Sequence, residues 1–557
     1  MAKRKGRPPV RGRPRSDAGP GARPEEPPEP PPGWRDRRLL LVAGVALVVR
    51  LLYLATADGP SFHDPIVDAD YYDYLGARLA AGAGFDPGPF WQPPLYPLLL
   101  GGLYATLGHD LLWPRLLQLV LGTLTAVFAV RIGARASGRA TIGVAAGLLV
   151  ALHGSLVFYG GELLATTPAT FLGALAVLLA LDGEGSWRRA AATGATVGLG
   201  ATAAGSLLLL AAPLAWHAAR PRRAHAAVLA AAALVPVLAT AAVNRARSGE
   251  WIAISANAGI NLWLGNNPDA DRTAAVRPGA GWEQLVNEPF RQGIDTPGGQ
   301  DAYFARRALA YCAGQPLSCA GGLLWKARLL LASRELPRNE SLDVVRDQSP
   351  VLQVLTARAG PAALPYLLLL PLAGAGVWFA GRAGRRGRVA VWAAAALAAG
   401  PVLFFVSGRH RAPLAPLLCV LAAWGALELW RQRRRAWPAA AAAGLVLLPA
   451  VWPVHSAVDG VDFAAELHYA VGGRRARLGD DEGAAAAWRR AVEQRPDYVE
   501  ARFNLALAAE RLGRPAEALA SYDALLRLVP EHRGALARRA ALLDAPASRT
   551  PAEPAPR

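Results

Sequence analysis

The run Asp68-Ala69-Asp70-Tyr71-Tyr72, followed by Trp91-Gln92-Pro93-Pro94-Leu95-Tyr96-Pro97, sets acids and aromatic rings just past the first apolar stretch of the chain. A carboxylate held at a membrane-water boundary suits removal of a proton from an acceptor hydroxyl or amine while a lipid-anchored substrate lies alongside in the bilayer. A second acid, Glu162 in Tyr159-Gly160-Gly161-Glu162-Leu163-Leu164, falls where the third apolar stretch should emerge. An ionisable group at such an edge is costly, so it has a partner or a task. Far along the chain, Ser407-Gly408-Arg409-His410-Arg411-Ala412-Pro413 puts two arginines and a histidine at another turn. Guanidinium forks bind phosphate in bidentate geometry, which makes Arg409, His410 and Arg411 candidate ligands for a lipid phosphate. Lys326 and Arg328 are candidates for the same anion.

A polar segment begins Ile254-Ser255-Ala256-Asn257-Ala258-Gly259-Ile260-Asn261-Leu262-Trp263-Leu264-Gly265-Asn266-Asn267-Pro268. Amides and glycines at this density give turns and uncharged hydrogen-bonding groups, here Ser255, Asn257, Asn261 and Asn266, with Trp263 available to stack on a sugar face. Tyr303, Arg306, Glu335 and Asn339 follow in the same segment as further cleft candidates.

These groups need a scaffold. Apolar residues make up 53% of the chain and collect into stretches of about 20, the length that crosses a hydrocarbon core. The expected fold class is all-α: a polytopic transmembrane bundle of about eleven spans, with a polar external insert and a C-terminal helical array. The boundaries read as a basic, Pro-rich leader at 1–37, disordered by composition, a membrane core at 38–243 whose first external loop is 58–92, an external insert at 244–360, further spans at 361–455, repeats at 460–545 and a disordered tail at 546–557. The first apolar stretch lacks a small-residue cleavage site and reads as a retained anchor.

The net charge of +18 does not point to nucleic acid, because the basic residues alternate with the spans. Arg131, Arg135 and Arg139 form one cluster; Arg188 with Arg189, Arg220 to Arg223, Arg382 to Arg388 and Arg431 to Arg435 form others. A cytoplasmic N-terminus puts them all on the cytoplasmic side, as the positive-inside bias requires, and puts the acidic loop, the insert and the C-terminal repeats outside. The expected location is the inner, cytoplasmic membrane. Cys312 and Cys319 fall in the external segment, where a bridge is permitted; Cys419 lies in an apolar stretch. No His and carboxylate cluster has metal-ligand spacing, so no metal ligand is assigned and the cofactor, a divalent ion included, is left open.

After His455 the pattern changes. Leu478-Gly479 recurs as Leu512-Gly513, Ala484 as Ala518, Trp488 as Tyr522 and Pro496 as Pro530, each after 34 residues. That period belongs to tetratricopeptide helix pairs, which suit a protein partner.

Over about residues 38 to 430 the chain resembles the GT-C class of polytopic glycosyltransferases, in particular the branch of protein O-mannosyltransferases and aminoarabinose lipid A transferases. The resemblance rests on Asp68 with Tyr72, Pro-Leu-Tyr-Pro at Pro94 to Pro97 with Tyr96, Glu162, the Ser255 to Asn261 loop with Gly265-Asn266-Asn267 after it, and Arg-x-Arg-x-Pro at Arg409 to Pro413. It implies a polyprenyl-phosphate sugar donor, an acceptor that is protein, lipid or glycan, and a catalytic Asp in the first external loop. That role falls on Asp68, with Asp70 in reserve and Glu162 orienting a substrate. Ala69 and Gly205-Ser206 depart from the pattern, which often has an acid and a basic residue at those points. The second departure leaves Arg409 and Arg411 with more of the donor phosphate.

Two rival readings are a membrane scaffold acting through its repeats and a transporter. A transporter wants ionisable groups near mid-membrane, and these are scarce. Deleting residues 460–557 should abolish a scaffold's role but leave an enzyme its basal transfer.

Overall fold

The structure, a computed structural model, describes residues 32–220, 222–360 and 362–544. The expected leader lies outside these residues as far as position 31, and the expected tail at 546–557 lies outside them entirely. Among the described residues the fold is all-helical, apart from a two-residue antiparallel ladder pairing Arg358 with Ala363 and Ala359 with Ala362.

Among the described residues, four helices are long and apolar enough to cross a membrane: Arg37–Thr56, Leu112–Ser137, Arg223–Ser248 and Gly408–Gln432. A fifth forms if Ala140–Ala151 and Gly154–Gly161, bent by 49°, act as one span. Five shorter apolar helices accompany them: Leu95–Leu107, Thr166–Asp182, Gly205–Ala218, Tyr366–Arg382 and Trp437–Val451. Apolar runs that read as about eleven uniform spans are thus unequal in length. A 13-residue helix such as Leu95–Leu107 rises only about 20 Å against a hydrocarbon core of about 30 Å. Such an element needs longer neighbours around it.

Burial separates centre from periphery. The apolar windows of Leu112–Ser137 and Gly408–Gln432 are 67% and 83% buried, against 28% for Arg37–Thr56 and Arg223–Ser248. The peripheral helices present Leu40, Leu41, Leu234 and Val235 outward, as a lipid-facing surface would. Arg223–Ser248 packs closely on Trp187–Ala201 because Gly194 and Gly198 lie against the carbonyls of Leu229 and Ala233, where a Cβ would collide.

The bend at Leu152-His153 has a cause. Arg50 reaches in from the first helix and donates to the Ala151 carbonyl at 3.3 Å, occupying a group that the broken helix leaves free. The second half ends at Gly160-Gly161, which delivers Glu162 to one end of the bundle. At the other end the arginine clusters meet acids from neighbouring helices: Arg131 and Arg135 on Asp182 at 2.8 and 2.6 Å, and Arg139 on Glu428 at 2.8 Å.

The C-terminal array comprises Phe463–Arg477, Asp481–Gln494, Val499–Arg511, Pro515–Leu528 and Arg533–Asp544. Residues 34 apart play the same part. Gly479 and Gly513 take φ of 81° and 69° where the chain leaves a helix, a conformation that glycine adopts without strain. Ala484 and Ala518 are fully buried beneath the large rings of Trp488 and Tyr522. Cys312 and Cys319 form a disulfide that bridges the helices Pro297–Gly314 and Pro316–Leu330, and Cys419 is free and buried.

Candidate active site

Asp68 opens the helix Asp68–Ala80, a position where the helix dipole favours a carboxylate. Val67 before it has φ of 52°, a region that a β-branched side chain enters at about 1–3 kcal/mol. Asp68 Oδ2 accepts from Asn339 Nδ2 at 2.7 Å and from Arg409 Nη1, and Oδ1 accepts from Gln92 Nε2 at 3.4 Å. Gln92 Oε1 accepts from Asn257 Nδ2 at 3.1 Å, and Asn257 Oδ1 from Ser255 Oγ at 2.9 Å. A relay therefore joins the amide-rich loop to Asp68 through a residue of the Pro-rich loop. Burial pushes the Asp68 carboxyl upward, but Arg409, helped by Arg338 and Asn339, outweighs it and holds the group below its ordinary range.

Glu162 lines a pocket walled also by Phe158, Tyr159, Arg338, Asn339, Glu340, Ser407 and Arg409, with Ile66, Ala69 and Leu164; Asp68 stands behind its wall, bonded to Asn339 and Arg409. The chain turn that presents Glu162 would leave carbonyls unpaired. Gln118 Nε2 takes those of Gly160 and Glu162 at 3.0 and 2.8 Å, and Arg115 Nε takes that of Gly161 at 3.0 Å. Tyr96 donates to Gln118 Oε1 at 2.8 Å and so fixes which end of the amide points at the turn. Burial raises Glu162 well above the usual carboxyl range, Glu340 adds to this by charge and by a shared hydrogen bond, and Arg115 offsets part of it. Burial raises Glu340 as well, against hydrogen bonds from Ser61 and Glu162. Two carboxyls this close cannot both ionise, so the pair keeps a proton near neutral pH.

One wall is acidic; the other is cationic. Arg338 donates to the Val276 carbonyl at 3.1 Å, and burial, with Arg277 and Arg409 nearby, brings its pKa down to about 9, still charged at neutral pH. Among the described residues, Arg409 Nε and Glu340 Oε1 are buried without a hydrogen-bond partner in the protein. Such unspent polar capacity facing one pocket suits a polar ligand.

Other residues singled out from the sequence lie elsewhere. Asp70 is held by Arg474 at 2.6 Å and by Arg477, and does not line the pocket. Tyr72 and Tyr96 are buried edge to face, 5.2 Å between centroids, behind Asp68. Arg411 lies two residues from Arg409 on a short helix, so the two point to opposite sides. It stacks 3.6 Å over Tyr366 and donates to the Ala332 carbonyl at 2.7 Å and to Glu335 at 3.1 Å. Its work is to pin the strand of chain that leads to Asn339. His410 hydrogen-bonds Ser407 at 2.8 Å and packs on Phe405.

Lys326 is also away from the pocket: its ammonium is caged by the Gly265 carbonyl, Asn266 Oδ1 and the Phe404 carbonyl at 2.8, 2.9 and 3.1 Å. Burial brings its pKa down to about 8, and helix-end carbonyls stand where a phosphate was expected. Asn266 is spent on Lys326 and on the Leu262 and Leu403 carbonyls, and Asn261 sits half-buried on the helix Ala258–Gly265. The face of Trp263 is covered by Arg307 at 4.2 Å, and Tyr303 donates to Glu288 at 3.0 Å. Glu340 and Arg338 carry no local signal in the sequence; Asn339 between them was the only hint. Among the described residues, no group of three His, Cys, Asp or Glu could hold a metal ion.

Residues 474–533 match the tetratricopeptide repeat family model, in agreement with the 34-residue period. No curated protein matches the chain. Among solved structures, ArnT from Cupriavidus metallidurans bound to undecaprenyl phosphate is 17% identical, with a TM-score of 0.41 over 87% of this chain and 79% of that one. The same enzyme in the apo state gives 17% and 0.39 over the same shares. The S. cerevisiae protein O-mannosyltransferase Pmt1-Pmt2 complex bound to the sugar donor is 17% identical, with a TM-score of 0.29, over 38% of this chain. The chain spans about a third, 33%, of that mannosyltransferase chain.

Proposed function

We propose that this chain is a membrane glycosyltransferase that moves a sugar from a polyprenyl-phosphate donor to an acceptor on the external face of the membrane. The observation that carries the reading is the convergence of Glu162, Asn339 and Arg409, from three distant parts of the chain, on one pocket at the end opposite the arginine clusters, with Asp68 hydrogen-bonded to two of them. By the positive-inside bias that end faces out.

The donor phosphate competes with Asp68 for Arg409. When it binds, the guanidinium turns to the phosphate oxygens, with Arg338 adding charge, and the Asp68 carboxylate is released from the ion pair that depresses its basicity. Asp68 then takes the proton of an acceptor O–H or N–H. The acceptor atom bonds to the anomeric carbon, the bond from that carbon to the phosphate oxygen breaks, and the phosphate leaves with its charge held by Arg409. Base assistance of this kind is worth about 10²- to 10⁴-fold, and charge stabilisation at the leaving group adds to it. The protonated Glu162–Glu340 pair donates a hydrogen bond that orients a substrate hydroxyl. Attack on the face opposite the phosphate inverts the anomeric centre.

The test is consumption of a panel of radiolabelled polyprenyl-phosphate sugars by membranes containing the wild-type chain or Asp68→Asn. Loss of one donor with wild type alone supports the reading and names the sugar; no Asp68-dependent loss of any donor removes it.

A further inference from the structure

The repeat array is bolted to the helix that carries Asp68. Its first helix, Phe463–Arg477, ends in Arg474, Arg475 and Arg477. Arg474 donates to Asp70 at 2.6 Å and to Asp73 at 2.8 Å, Arg475 to Asp64 at 2.8 Å, and Arg477 to Asp70. Asp73 is buried, and also accepts from Tyr104 at 2.8 Å and meets His109 at 2.8 Å. Arg474 is buried with it. Beside these pairs, Leu467, Ala470 and Val471 of the same helix pack on Ile66 and Val67. The entry to the array is tied to the insert as well, through Asp271 to the Ala457 amide at 2.7 Å and Arg334 to Asp459 at 3.0 Å.

These contacts bracket Asp68 on both sides. Before it stands Val67, held at positive φ and covered by the array; two and five residues after it stand Asp70 and Asp73, gripped by one guanidinium. A backbone conformation unfavourable for its own residue persists only when its surroundings over-determine it, and here the surroundings are supplied by the array. A planar, five-donor fork bridging two carboxylates fixes both distance and orientation, which a lysine could not do.

We propose that Arg474 is a positioning residue for the transferase site: it locks the first turns of the helix Asp68–Ala80 so that Asp68 meets Arg409 and Asn339 at the pocket wall. This rests on the glycosyltransferase reading given above. The array is then a structural part of the active site and not a detachable recruiter. Deleting residues 460–557 removes Arg474 and should lower transfer itself, which replaces the expectation that basal transfer survives.

The experiment uses full-length Arg474→Gln and Arg474→Lys, with two readouts. Hydrogen exchange of the amides from 68 to 76 reports the lock regardless of what the enzyme does. Donor consumption reports its consequence. Expected for Arg474→Gln are amides exchanging at least tenfold faster and kcat reduced at least tenfold with donor KM within twofold, since Arg409 and the pocket are untouched; Arg474→Lys should fall between it and wild type in both. Unchanged exchange overturns the lock, and faster exchange with unchanged kcat overturns the positioning role. A wild-type chain that consumes no donor, with exchange still dependent on Arg474, locates the failure in the glycosyltransferase reading.

Discussion

The two ends of the bundle handle charge in opposite ways. At the arginine-rich end each acid serves two cations: Asp182 holds Arg131 and Arg135, and Glu428 holds Arg139 at 2.8 Å and Arg431 at 3.8 Å. Opposite charges meet, and helices are stapled together. At the pocket end like charges meet. Glu340 stands close enough to Glu162 to raise its carboxyl, Arg338 stands close enough to Arg409 to be weakened as a cation, and Arg409, paired with Asp68, lines the pocket. Nothing in folding alone favours bringing like charges together away from water. The difference teaches which charges belong to the scaffold and which belong to the chemistry.

The sharpest way to break this contrast is to remove one charge from each end. Arg409→Gln should reduce transfer by about 10²- to 10³-fold with a thermal midpoint near that of wild type. Asp182→Asn should do the reverse, retaining transfer while losing about 3 kcal/mol, because it leaves buried Arg131 without its carboxylate. Transfer assays paired with thermal unfolding in detergent check both. Equal losses of stability at the two ends would erase the distinction.

The protonated pair sharpens it further through pH. With Glu162 acting as a hydrogen-bond donor, kcat/KM falls on the alkaline side as the pair loses its proton. Glu340→Gln removes the neighbouring charge that raises Glu162, so the Glu162 pKa falls and the alkaline limb should move to lower pH. A limb that stays put, or moves up, contradicts the shared-proton account. On the acid side, Asp68 has its folded pKa lowered by Arg409. Its ion pair therefore contributes stability above the unfolded value of about 3.9, which is lost as pH falls through the folded value.

The smallest effect expected is in the array. Gly479→Ala places a side chain at φ of 81° and should lower the unfolding free energy by about 1 kcal/mol. Denaturant titration followed through the ring of Trp488 reads it directly. A neutral result would mean that the turn relaxes, and the 34-residue register would lose its steric basis there.

Much of this was legible because it depends on local pattern. A 34-residue period shows in glycines and alanines that must recur wherever helices turn and pack, and Gly479 and Gly513 share one conformation for that reason. Asp68, Glu162 and Arg409 stood out as ionisable groups at the edges of apolar runs. Glu340 did not, since an acid in a polar insert is ordinary until the fold brings it against Glu162. Lys326 and Arg411 misled in the other direction. Both read as anion ligands by charge and position, yet both are consumed by carbonyls, because broken helices leave acceptors that only a long cation can reach. Arg474 was hidden within a repeat that looked self-contained.

The central claim is that Asp68 is spent on chemistry and not on holding the fold. It is tested most directly by measuring, on the same purified Asp68→Asn protein, polyprenyl-phosphate binding and single-turnover transfer. The account predicts binding at least as tight as wild type, because Arg409 is freed for the phosphate, together with transfer slowed by about 10²-fold or more. Near-normal transfer by Asp68→Asn, or loss of lipid-phosphate binding in step with transfer, would contradict it.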